Sequence, residues 1–237
     1  MTNKHVWAVV PAAGTGSRMQ ADRPKQYLPL SGKRVIEHTL ERLATHGSVQ
    51  GIVVAIAEND HWWPQVILPD QADIYTVIGG LQRADSVLNA CLKLATLTED
   101  DPWVLVHDAA RPCLRHADID KMLQVLCEHN TGGVLGVPLH DTIKRTQALD
   151  LVTGTVSREG LWRAFTPQMF RLHTLIQALK LAKDSGLPVT DEASAVELAG
   201  GQVRMVEGHA DNIKVTHPAD LALASLYLQQ QRAGVES

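Results

Sequence analysis

The sequence has no apolar run long enough to cross a bilayer as a helix, so no membrane partner is expected. The stretch nearest the start, Val6 to Val10, is short and runs into a glycine-rich loop instead of a cleavage site, so no signal peptide is expected either. Cys91, Cys113 and Cys127 form no C-x-x-C pair, and an odd number of scattered cysteines points to reduced thiols in a cytoplasmic setting. The eleven histidines show no metal-ligand spacing. No G-x-S-x-G elbow and no Cys/His pair suggests a covalent intermediate. Nor is there an excess of positive charge: 22 Lys and Arg stand against 26 Asp and Glu, a formal charge of −4. Broad electrostatic binding of nucleic acid is thereby disfavoured, while a local basic pocket for a small polyanion is not. Internal repeats and low-complexity linkers are missing too.

What is present is an alternation. The 237 residues, 45% of them apolar, suit one α/β domain over 1–237. His5 to Val10, Gly51 to Ile56 and Trp103 to Val106 read as strands whose near-continuous β-branched character fits burial on both faces, and Ile74 to Ile78 is another candidate strand. Between and after them, apolar residues fall at helical spacing: Val35, Ile36, Leu40 and Leu43; Val87, Leu88, Leu92 and Leu94; Ile119, Met122, Leu123 and Leu126; Leu172, Leu175, Ile176 and Leu179. Such alternation predicts a doubly wound, mostly parallel sheet of Rossmann-like type. In such sheets ligands bind beyond the carboxyl ends of the strands. Residues 139–162 break the pattern. They are Thr-rich without a helical period and read as an inserted β-arm that needs a partner surface, so a homodimer is expected. The polar tail after Gln229 is expected to fray.

The first strand runs into Pro11-Ala-Ala-Gly-Thr-Gly-Ser-Arg-Met19, followed by Pro24-Lys-Gln-Tyr27. Small residues let backbone N–H groups approach an anion, and Arg18 and Lys25 add cations suited to phosphate. The dinucleotide fingerprint fails, because Met19 stands where its third glycine belongs. The P-loop fails as well: Gly32-Lys33 is followed by Arg34 and lacks the upstream glycine, having Tyr27 there. Asp108 sits just past a strand end, a natural place for a Mg²⁺ carboxylate, and Asp211 is a second candidate from a distant part of the chain. Gly79-Gly80 leads into a helix whose Ser86 is either a base or sugar contact or a plain helix cap. Thr190 or Asp191 is placed to cap the helix that follows.

Taken together, these segments resemble the nucleotidyltransferases of the glycosyltransferase-A-like class. With Gly79-Gly-x-x-Arg83-x-Asp-Ser-Val87, His107-Asp-Ala-Ala-Arg-Pro112, Thr190-Asp-Glu-Ala193 and Asp211-Asn-Ile-Lys-Val-Thr216, the chain is similar to the 2-C-methyl-D-erythritol 4-phosphate cytidylyltransferases. The resemblance implies transfer of CMP from CTP to that sugar phosphate in isoprenoid precursor synthesis, with Mg²⁺. It implies that Arg18, Lys25 and Lys214 are catalytic cations. Ala12, Ala13, Gly14, Gly16, Arg18, Lys25, Gly80 and Ser86 would contact the nucleotide. Asp108, Arg111, Thr142, Arg158, Thr166, Thr190 and Lys214 would face the acceptor, and Asp108 and Asp211 would hold the metal. It also implies that the arm carrying Thr142 and Arg158 crosses to a second subunit. Leu81 and Ser157 depart from the acidic residues common at those positions. Three alternatives stay open: ribitol 5-phosphate as acceptor, a different nucleotide, or a module that binds nucleotide without turnover.

Overall fold

The computed structural model describes residues 5–15, 19, 21–128 and 132–233. In chain order it contains β1 (Val6–Pro11), the two-residue strands β2 (Pro29–Leu30) and β3 (Lys33–Arg34), α1 (Val35–Ala44), β4 (Val49–Ile56) and β5 (Asp73–Ile78). Next come α2 (Arg83–Leu94), β6 (Trp103–Val106), α3 (His116–Leu126) and β7 (Gly133–Pro138). The hairpin β8 (Ile143–Thr146) and β9 (Val152–Val156) precedes β10 (Trp162–Arg171), α4 (Leu172–Ser185) and α5 (Glu192–Leu198). β11 (Arg204–Glu207) and α6 (Pro218–Ala233) close the described chain.

Seven strands form one sheet in the order β11-β7-β10-β6-β1-β4-β5. All neighbours pair in parallel except β10, which runs antiparallel to both β6 and β7. Alternation along each strand divides the core. Val6, Ala8 and Val10 of β1, with Leu105 of β6, join Ile36, Leu40 and Leu43 of α1 and Ile119, Met122 and Leu126 of α3. Val9, Val104 and Val106 face the other way, against Val87, Cys91 and Leu94 of α2, Leu175 and Leu179 of α4 and Val196 of α5. Successive side chains of a strand point to opposite faces, so a run apolar at every position calls for helices on both. A mostly parallel α/β sheet covered on both faces is the architecture expected from the sequence.

Strands β7, β10 and β11 were not evident from the sequence, and each has a local reason. β7 starts at Gly132-Gly133, between two strands whose backbones press close: a Cβ on Gly132 would collide with the Met169 carbonyl and one on Gly133 with that of Arg204. β10 carries Pro167, which supplies no ladder N–H, and its register with β7 shifts between Ala164 and Gln168 to accommodate it. The shift matters for function, because Thr166 lies within it.

The Thr-rich insert forms a separate two-stranded sheet, β8 with β9, inside the expected bounds. Its tip turns through Leu149 and Asp150, both at positive φ, and Leu149, Leu151 and Val152 are exposed. The polar tail behaves differently from expectation up to Ala233. α6 continues to that residue, and Gln231 donates to the Cys113 carbonyl and to Asp211 while accepting from Arg42. Three partners, of which Cys113 and Asp211 are buried, hold the helix end in place of solvent.

Leu105 is fully buried at the centre of the sheet. Leu105→Ala is expected to destabilise the fold by about 2–5 kcal/mol, read from urea midpoints at neutral pH.

Candidate active site

β1 and β6 lie side by side, and their connections depart in opposite directions: β1 leads on to β4, its other neighbour, and β6 toward α3 and β7. A crevice opens at such a switch point, beyond the carboxyl ends of the strands. Its walls are Pro11 to Gly14 after β1, Lys25 and Gln26, Gly80 to Arg83 with Ser86 after β5, Asp108 to Ala110 after β6, and Lys214.

The first wall is backbone. The buried Gln26 side chain donates to the carbonyls of Ala12, at 2.6 Å, and Gly14, at 3.0 Å, so the loop is held by its oxygens. A Cβ added to Gly14 would meet nothing within 4 Å, so protein packing does not require glycine there. What remains is the close approach of a ligand to the backbone. Gly79, by contrast, is packed on Ala13 and Ser86, which joins the β1 loop to the turn before α2. Ser86 accepts from the Gly80 N–H at 3.0 Å and donates to the Gln82 carbonyl at 3.2 Å, clipping that turn shut.

Lys25 opens a single 3₁₀ turn, Lys25–Tyr27, that follows Pro24. The turn is fixed by buried Tyr27, whose hydroxyl donates to Asp60 at 2.6 Å. Lys25 Nζ donates to the Val215 carbonyl at 2.8 Å, next to Lys214.

The opposite wall is organised around Asp108, which is buried yet charged. Arg83 Nε donates to its Oδ1 at 2.9 Å, Lys214 Nζ lies 2.7 Å from Oδ2, and Arg111 Nε lies 3.7 Å from Oδ2. Burial pushes the Asp108 carboxyl up, but the charges of Arg83, Lys214 and Arg111 outweigh it and hold it well below the ordinary carboxylate range. Arg83 in turn places its two terminal nitrogens on Glu192, at 2.6 and 3.1 Å. These groups, three cations against two carboxylates, leave one positive charge in excess.

Beneath Asp108 a buried chain fixes its backbone. The Asp108 N–H donates to Thr166 Oγ1 at 3.0 Å, and that hydroxyl pairs with His107 Nδ1, also at 3.0 Å. His107 Nε2 faces the Arg111 carbonyl at 3.1 Å, which can only accept. The neutral ring therefore carries its proton on Nε2, and Thr166 donates to Nδ1. Burial lowers the His107 pKa to about 4.

The crevice at the carboxyl edge has loop backbone on one side and cations on the other, a chemistry suited to an anionic ligand. The family model for IspD, 2-C-methyl-D-erythritol 4-phosphate cytidylyltransferase, matches residues 6–230. The chain belongs to this cytidylyltransferase family. The cytidylyltransferase of Vibrio vulnificus is 49% identical over 225 residues, 95% of each chain, and that of Pseudomonas entomophila 51% identical over 229 residues, 96% of each. Among solved structures, the Francisella tularensis cytidylyltransferase superposes with a TM-score of 0.81 at 34% identity, covering 94% of this chain and all of that one. The Thermus thermophilus enzyme gives 0.75 at 29%, covering 94% and 98%.

Of the expected site residues of the cytidylyltransferase, Ala12, Ala13, Gly14, Lys25, Gly80, Ser86, Asp108 and Lys214 line one crevice. Gly16 and Arg18 lie outside the described residues. Arg111 stands behind Asp108, with its NH1 on the Asn212 carbonyl at 2.7 Å. Thr166 is buried, and its hydroxyl is spent on Asp108 and His107. Thr142 and Arg158 sit at the base of the arm, where Arg158 reaches the His140 carbonyl. Thr190 is exposed ahead of α5, and Asp191 rather than Thr190 caps that helix, accepting from the Ser194 N–H.

The two carboxylates expected to hold a metal have different protein partners: Asp108 meets Arg83 and Lys214, and Asp211 meets Arg115 and Gln231. Asp211 accepts from Arg115, at 2.6 Å to NH2, and from Gln231 at 3.0 Å, and it does not line the crevice. It ties α6 to the segment that carries Lys214. Sequence reasoning also passed over Arg83, Glu192, Gln26 and His107 as site builders. Arg83 and Glu192 stood inside the motifs it singled out, but nothing in one sequence pairs positions 109 residues apart.

His107 gives a pH prediction. An unfolded histidine titrates near 6.5, above the folded value of about 4, so the unfolded chain binds the extra proton between those limits. This stabilising contribution is complete above about pH 6.5 and is lost as pH falls toward 4. His107→Asn is expected to lower stability at neutral pH and to lose less than the native chain between pH 7 and 5, measured as urea midpoints at both values.

Proposed function

We propose that cytidylyl transfer takes place in the crevice between β1 and β6, with the CTP phosphates between Lys25 and Lys214 and the nucleoside against the backbone of Ala12 to Gly14 and Gly80. The chain is a cytidylyltransferase: it joins CMP from CTP to 2-C-methyl-D-erythritol 4-phosphate and releases pyrophosphate, a step in isoprenoid precursor synthesis. The observation that carries the placement is the pair of lysines across the loop backbone, Lys25 on the Val215 carbonyl and Lys214 on Asp108.

The acceptor phosphate oxygen attacks the α-phosphorus, and pyrophosphate departs on the opposite side. A phosphate monoester has a second pKa of about 6, so the nucleophile is already an anion at neutral pH and needs no base. The residues lining the crevice agree, since they include no histidine and no cysteine. The task is to bring two polyanions together. At about 4 Å, like unit charges repel by roughly 4 kcal/mol at an effective dielectric near 20. Lys25, Lys214 and Arg18 offset this and stabilise the charge that builds on the phosphoryl oxygens.

Magnesium is proposed on a narrower basis than one held by two carboxylates. Among the described residues no cluster of three His, Cys, Asp or Glu side chains could hold a metal, and Asp108 is the one carboxylate lining the crevice. That fits a cation ligated mainly by phosphate oxygens, with Asp108 as its single protein carboxylate, and such a cation would neutralise triphosphate charge. We further propose a cytoplasmic homodimer. The arm β8–β9 pairs only with itself within the sheet topology and exposes Leu149, Leu151 and Val152. Thr142 and Arg158 would then serve the acceptor side of the partner's crevice.

Pyrophosphate release from CTP is expected to require 2-C-methyl-D-erythritol 4-phosphate. Release with ribitol 5-phosphate alone would move the enzyme to another acceptor, and CTP binding without release would make it a binding module. In the same assay, Lys25→Ala is expected to lower kcat by about 10²–10³, by analogy with the loss of one transition-state donor. Near-normal turnover would overturn the role given to Lys25.

A further inference from the structure

Glu192 is fully buried, lies outside the crevice lining, and has both carboxylate oxygens on Arg83. A buried ion pair is poor ground for stability, since apolar replacements are often neutral or better. Helix capping does not account for it, because Asp191 already caps α5. Its geometry suggests another purpose. The guanidinium meets Glu192 with its two-nitrogen fork and Asp108 with Nε alone. Nε takes only Oδ1, leaving Oδ2 for Lys214 at 2.7 Å.

We propose that Glu192 is a positioning residue for cytidylyl transfer, which occupies the fork of Arg83 so that Arg83 cannot claim both oxygens of Asp108 and displace Lys214. The inference rests on the functional reading above. A guanidinium fork matches a carboxylate in two parallel bonds. Without Glu192, Asp108 is the carboxylate that the guanidinium already touches. Glu192→Gln presents one acceptor and one N–H group to a fork that needs two acceptors. Arg83 then turns toward Asp108, and Lys214 loses the oxygen that aims it into the crevice. The backbone of Ala12 to Gly14, on the other wall, is held by Gln26 and is not touched by the substitution.

The test is a cycle of four proteins: native, Glu192→Gln, Asp108→Asn and the double variant, each assayed for kcat and for KM of CTP. Glu192→Gln is expected to lower kcat by about 10- to 100-fold, the scale of a small misplacement of reacting groups, while KM for CTP rises by a smaller factor, because Lys214 also faces the CTP phosphates. In the Asp108→Asn background the same substitution is expected to cost less than about twofold, because its effect passes through Asp108. A purely structural role would impose the same factor in both backgrounds, and that result, or an unchanged kcat in Glu192→Gln, would overturn the proposal. Should Glu192→Gln fail to fold, Glu192→Asp, whose shorter side chain cannot close the fork, takes its place in the cycle under the same criteria. Native turnover is the reference: its absence would strike the functional reading, whereas its presence with an indifferent Glu192 strikes only this inference.

Discussion

The site depends on one carboxylate that stays ionised where burial alone would neutralise it. Asp108 accepts Arg83 on one oxygen and Lys214 on the other, with Arg111 behind. A buried charge is tolerable only when it is paired and hydrogen-bonded, so the surroundings must supply cations and hold them still. Each is supplied from a different part of the chain. Arg83 opens α2, Arg111 belongs to the loop after β6, and Lys214 lies in the segment between β11 and α6. Gathering these three around Asp108 fixes the relative placement of the loops that form the crevice.

Much of the remaining structure serves to hold that cluster. The register shift around Pro167 brings the Thr166 hydroxyl to the Asp108 N–H, and His107, kept neutral by burial, braces Thr166 from behind. Asp211, bound by Arg115 and Gln231, anchors the segment that delivers Lys214. On the facing wall, Gln26 grips the carbonyls of the β1 loop, and Tyr27 with Asp60 fixes the turn carrying Lys25. The crevice thus stands preformed on rigid elements, with backbone on one side and cations on the other, as electrostatic stabilisation of a charged transition state requires.

The sequence was legible where local pattern decides structure. β1 and β6 are continuous apolar runs, β4 and β5 are nearly so, and the helices α1 to α4 repeat at helical spacing, so this half of the sheet and its crevice could be read directly. β7, β10 and β11 could not: glycines interrupt β7, a proline interrupts β10, and β11 is four residues long with charged residues at both ends. The same divide holds in the site. Loop residues just past strand ends, such as Ala12, Gly80 and Asp108, announce themselves by position. The bond between Arg83 and Glu192 exists only in three dimensions, and so does that between Arg115 and Asp211.

The most direct test of this account is turnover of Asp108→Asn at saturating CTP and acceptor, beside a urea midpoint to confirm folding. An asparagine of the same shape offers one acceptor oxygen and no charge, so it can neither hold Arg83 and Lys214 together nor offset their repulsion. The account predicts a folded protein whose kcat is lower by about 10²-fold. A folded variant with near-native turnover would contradict it, since the cations of the crevice would then hold their places without the carboxylate.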